Sequence, residues 1–142
     1  MRKHDAVRVI KTWANAWATS TRYHEAKNFP CLFGCACGED RQSHYAQCPF
    51  LYSLLLQLRP HNTPSCPVKR LGLVSPDREV LLAISCTFSG YHAIKRSNFV
   101  VGLSHIPLDP SQRSAAHILF AEAFRASALE VQLPCKARLV AT

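Results

Sequence analysis

The sequence predicts a mainly α fold, a small helical domain built around a CCHC-type zinc loop. Three observations predict it. Five possible metal donors crowd between Cys31 and Cys48. Two later segments open with helix-start signals, Ser75-Pro76-Asp77 and Asp109-Pro110-Ser111-Gln112. The N-terminal segment repeats apolar side chains at helical steps.

Taken in order, residues 5 to about 20 read as an amphipathic helix. Ala6, Val9 or Ile10, Trp13 and Trp17 fall at three- and four-residue steps, and Arg8, Lys11 and Asn15 lie off that line. Two tryptophans one turn apart read as a core or helix–helix contact before a platform for bases. Asn28-Phe29-Pro30 breaks the chain ahead of Cys31. Asp40 suits the N-cap of a second helix carrying His44 and Cys48. Pro49 ends that helix or starts a third, apolar nearly all round, through Leu58.

Residues 59–74, with Pro60, Pro64 and Pro67, read as a loop. The helix opening at Ser75-Pro76 runs to about Ser97, with Leu81, Ile84, Phe88 and Tyr91 on one face. Gly90 weakens it and permits a bend or a close approach. Lys95 and Arg96 at its end suit the helix dipole, and secondarily phosphate. Residues 98–108 fit a short extended piece. Asp109-Pro110 then opens a helix to about Glu130, burying Ala116, Leu119 or Phe120, Ala123 or Phe124, and Val131. This divides the chain into a 1–58 metal-loop region, the 59–74 loop, a 75–133 helical support on the same core and a loose basic tail, 134–142.

Composition bounds the function. At 142 residues and 48% hydrophobic, the chain can build one real core. It lacks the roughly 20 uninterrupted apolar residues of a membrane span, so no membrane partner is expected. Arg2-Lys3-His4-Asp5 leads into Val7-Arg8-Val9-Ile10-Lys11, which is no secretory core. Seven cysteines, four of them within the loop, argue for an intracellular reducing compartment, nucleus or cytoplasm. A net charge of +8 gives a preference for polyanions, nucleic acid first.

The loop reads Cys31-x3-Cys35, x8, His44-x3-Cys48, a spacing that suits one closed, structural Zn2+. On a helix His44 and Cys48 share a face, so both reach one ion. Cys35 and Cys37 with His44 and Cys48 form the alternate set, ranked second because one intervening residue leaves little room for a turn. Gly34 and Gly38 suit a loop that needs positive φ. Cys66, Cys86 and Cys135 read as ordinary thiols.

Several features together resemble a known family. They are Trp17-Ala18-Thr19-Ser20-Thr21-Arg22, the cysteine pair, Glu39-Asp40, His44, and Cys48-Pro49-Phe50-Leu51 before Leu54-Leu55. In that order they resemble the zinc-binding region C-terminal to the reverse transcriptases of non-LTR retrotransposons, over about residues 13 to 58. The chain departs from that pattern with C-x3-C in place of C-x2-C and a His-to-Cys spacing one residue short. It also lacks the clustered carboxylates of a polymerase, since Asp5, Asp40, Asp77 and Asp109 stand far apart. The resemblance implies the family's accessory nucleic-acid-binding portion, as a fragment of a longer reading frame or a stand-alone descendant, with a reverse transcriptase or another protein as a further partner.

The expected function is a zinc-stabilised module for RNA or single-stranded DNA. Arg22, Lys27, Arg41 and Lys11 would contact phosphates, and Tyr23, Phe33 or Tyr45 would stack on unpaired bases. The alternative is a zinc-stapled protein-interaction scaffold with an exposed apolar patch at Leu54 to Leu58 or Phe120/Phe124. No enzyme is expected. Neither His92 beside Tyr91 nor Cys37 has a recognisable base partner, and His24, His61, His105 and His117 read as surface or satisfied core histidines.

Overall fold

A computed structural model describes residues 1–20, 22, 28–97 and 107–136. It is mainly helical. In chain order the helices are α1 (Lys3–Trp13), α2 (Gln42–Tyr45), α3 (Pro49–Leu58), α4 (Pro67–Arg70), α5 (Arg78–Arg96) and α6 (Pro110–Glu130). Among the described residues the only β pairing is a single antiparallel bridge, Pro30 with Glu39. No helix among them is long and apolar enough to cross a membrane.

The two long helices form the frame. α6 starts on the expected capping box, in which Asp109 accepts from the Gln112 N–H and the Gln112 side chain accepts from the Asp109 N–H. It buries Ala116, Phe120, Ala121, Phe124 and Ala128. α5 is capped two residues later than expected, by Asp77 accepting from the Val80 N–H at 2.8 Å, while Ser75 turns at φ 44°. Gly90 marks the crossing of the pair, since a Cβ there would lie 2.5 Å from the Phe120 ring. That glycine serves close approach.

α1 packs on α5 in a way the apolar pattern does not announce. It buries Asp5, Val9 and Thr12, with the Ser85 hydroxyl donating to Asp5 at 2.9 Å. The helix stops at Trp13, well short of residue 20, because Asn15 takes the left-handed conformation at φ 51°. The Ala16 N–H then closes back on the Lys11 carbonyl at 2.7 Å. Trp17 leaves the helix and enters the core, 4.7 Å from the Tyr91 ring, whereas Trp13 stays at the surface.

Three further expectations change. Within the 59–74 stretch Pro67–Arg70 forms one helical turn, closed by Gly72 at φ 64°. Of the patches proposed for a scaffold, Phe120/Phe124 is interior, and Leu54 to Leu58 is buried at Leu54 and Leu58 but half-buried at Leu55 and Leu56. After Pro134 the chain is tied down as far as Lys136, whose N–H donates to the Leu58 carbonyl at 2.8 Å. Residues 98–106 and 137–142 lie outside the described residues.

Candidate metal centre

The loop from Phe29 to Asp40 is pinched at its base by two backbone bonds. The Cys31 N–H donates to Gly38 O at 2.9 Å and the Asp40 N–H to Phe29 O at 2.8 Å. Inside it, the Gly34 N–H donates to Cys31 O at 2.9 Å, a turn completed by Gly34 at φ 83°. This hairpin directs Cys31 and Cys35 inward, buried at 0% and 1% exposure.

The second donor pair arrives differently from the expected single helix. α2 is one turn long and carries His44, the chain turns at Ala46-Gln47, and Cys48 is the extended N-cap residue of α3. Two short helices meeting at a corner therefore bring His44 and Cys48 to the same point. Gln42 holds the corner against the end of α1, accepting from the Trp17 N–H at 3.2 Å and donating to Thr12 O.

Cys31, Cys35, His44 and Cys48 gather with their donor atoms all within 4.8 Å of one another, close enough to bind one metal ion. The Cys31 and Cys48 sulfurs stand 3.7 Å apart. Two thiolates on tetrahedral zinc, each about 2.3 Å from the ion, stand about 3.8 Å apart. Cys35 Sγ and His44 Nε2 are 3.0 Å apart, so seating an ion between them spreads that edge by about half an ångström. Cys37 is exposed and outside the group.

The electrostatics fit a cation. The hydrogen bond from Cys31 pushes the Cys48 thiol down to about 5, against its burial. Although Cys48 makes no full cap hydrogen bond, the N–H groups of Leu51 and Phe50 favour its thiolate. The same Cys31–Cys48 bond, with burial, drives the Cys31 thiol far above its ordinary value. Burial pushes Cys35 up to about 11. Ionising all three sulfurs in so dry a place needs a positive ion among them.

Two glycines shape the shell. A Cβ on Gly38 would sit 2.2 Å from His44 Nδ1, so the imidazole occupies the space a side chain would need. Gly38 serves contact, not the positive φ expected of it. Gly34 meets the Arg113 stem, whose Cγ would lie 2.9 Å from an added Cβ, and Arg113 crosses the Phe50 ring at 5.1 Å. α6 also anchors the loop directly, as His117 Nε2–H donates to Phe33 O at 2.9 Å.

Behind the donors lies a polar hub the sequence did not reveal. Asp40 is fully buried and does not cap α2. Its carboxylate accepts from Tyr45 OH (2.7 Å), Tyr91 OH (2.9 Å), the Ser20 N–H (2.7 Å) and Lys95 Nζ (3.1 Å). Lys95, expected at the helix dipole, thus turns inward and also lies 4.6 Å over the Phe29 ring.

The nucleic-acid candidates divide. Phe33 and Tyr45 are corrected: at 0% and 4% exposure they cannot stack on a base. They pack edge to face at 5.3 Å, and Phe33 does the same with Phe120 at 5.3 Å, so they are the inner wall of the metal loop. Lys11, Arg22 and Arg41 are exposed, Arg41 pairing with Glu39 at 3.0 Å. Tyr23 and Lys27 lie outside the described residues, as do His24 and His105. His92 is engaged at both nitrogens, Nδ1–H donating to Phe88 O at 2.8 Å and Nε2 accepting from the Ala18 N–H at 3.4 Å. His61 is exposed.

No family model, curated protein or solved structure matches the chain, so its resemblance to the retroelement region rests on the quoted residues alone.

Proposed function

We propose that Cys31, Cys35, His44 and Cys48 hold one structural zinc ion. The ion would staple a basic helical domain that binds RNA or single-stranded DNA, as does the accessory region behind a retroelement reverse transcriptase. The observation that carries this reading is the donor group itself, three sulfurs and one imidazole within 4.8 Å. Soft thiolates with one nitrogen select zinc over calcium or magnesium. Four protein ligands leave no position for a reactive water, which makes the ion structural and not a centre for hydrolysis.

Exposed basic side chains support the nucleic-acid half. The net charge is +8, and Lys3, Lys11, Lys69, Arg78 and Arg96 are exposed and make no ion pair among the described residues. With Phe33 and Tyr45 interior, affinity would come from phosphates and depend steeply on salt.

Metal analysis of the purified chain tests the ion. One zinc per chain, with helix content lost on chelation, is expected, and Cys31→Ser but not Cys37→Ser should lose metal. Titrating labelled RNA and single-stranded DNA at two salt concentrations tests the ligand. Salt-insensitive or absent binding overturns that half and leaves the zinc site standing.

A further inference from the structure

We propose that the outer face of α1, with the turn at residues 68–74 beside it, docks an acidic amphipathic helix of a partner protein. A surface helix ordinarily turns its apolar stripe to the core. α1 reverses this: Asp5, Val9 and Thr12 face inward, while Val7, Ile10 and Trp13 are 48%, 59% and 46% exposed. Lys3, Val7, Ile10 and Ala14 follow one another by four, three and four residues, the step that makes a straight seam for a second helix.

The patch extends beyond α1. The Trp13 indole N–H donates to Leu71 O at 2.7 Å, which joins the helix to the turn carrying Val68, Leu73 and Val74 at 44%, 58% and 53% exposure. These two segments hold six of the nine exposed large hydrophobics among the described residues. The turn is built, not slack: Gly72 and Ser75 take φ 64° and 44°, and the Leu73 N–H donates to Val68 O at 3.1 Å. Apolar side chains held out on a fixed turn extend the exposed apolar surface that Val7, Ile10 and Trp13 begin on the helix.

Charge selects the partner. Lys3 and Lys11 on α1 and Lys69 in the neighbouring turn are exposed and make no ion pair among the described residues. Neither segment carries an exposed acid, since Asp5 is buried and residues 66–76 contain none. A second copy would set lysine against lysine, and a nucleic acid backbone offers nothing to Val7 and Ile10. A helix with Leu-type residues on one side and Glu on its flanks satisfies both the seam and the lysines.

The probe is a phage-displayed library of acidic amphipathic peptides, with Leu, Ile, Phe and Met varied at the a and d positions and Glu and Ala elsewhere, selected against the zinc-loaded full chain. Enriched peptides should weaken about tenfold or more with Val7→Ser or Ile10→Ser. They should weaken similarly with Lys3→Glu, and as salt rises. The two serine variants should keep wild-type melting and RNA affinity, because both side chains are exposed. No enrichment, or peptides indifferent to Val7→Ser and Ile10→Ser, overturns the proposal. So does binding to phosphatidylserine vesicles with that same dependence and no peptide binding, which would make the face a membrane contact. A dimer abolished by Ile10→Ser would make it a self-interface and also overturn the proposal.

Discussion

Gly38 has its role fixed by another residue: the His44 ring lies where a Cβ would go, 2.2 Å away. Gly38→Ala should therefore push the imidazole off the metal and weaken zinc affinity by about 10- to 100-fold, the scale of other supporting-shell losses. Competition with a chromophoric chelator reads this directly, and unchanged affinity would mean that the ring can move aside. Two half-buried histidines contribute to acid sensitivity. Burial holds His92 and His117 below their ordinary value, whereas the unfolded chain protonates near pH 6.5. Between those points the unfolded state binds more protons, so stability should fall as pH drops from about 6.5. Urea midpoints across that range should change less steeply in His92→Gln, with metal release common to both proteins. The donors were legible because four such groups rarely share so short a segment for any other reason. Phe33 and Tyr45 were not, because an aromatic beside a ligand reads alike as platform or as wall. Tyr91 and Phe120, distant in sequence, decide it.

Helix ends repeat the lesson one scale up. Asp109-Pro110 was legible because a cap and a proline act locally, and α6 starts there, whereas Pro49 alone left open whether it ended one helix or started α3, and Cys48 stands outside the His44 helix. The end of α1 was signalled too, but by Asn15, an αL residue that an apolar-periodicity reading passes over. Its buried face was not legible at all, because Asp5 enters the core only with Arg2 bonding it at 2.8 Å and Ser85 waiting on α5. The α5–α6 crossing depends on Gly90. Gly90→Ala gains helix propensity of about 1 kcal/mol, yet its methyl would press on the Phe120 ring at 2.5 Å. Overpacking of that kind costs roughly 1–3 kcal/mol. A net loss in urea melts is expected, and a gain would show that the helices can part freely.

At the scale of the molecule, the stretch that resembles the retroelement region is not a separable part. Its inner wall and its polar hub are completed from α5 and α6, by Tyr91, Lys95, His117 and Phe120. A chain cut after Leu58 should remain largely unfolded by circular dichroism without metal. It should bind zinc more weakly than the full chain, and equal affinity would refute this interdependence. The Asp40 carboxylate carries that point furthest. Its donors among the described residues include residues 20, 45, 91 and 95, so the anion is tolerable in the interior only with segments from both halves around it. The metal hairpin and the C-terminal half of α5 therefore share one anion, and loosening either end leaves its charge short of partners.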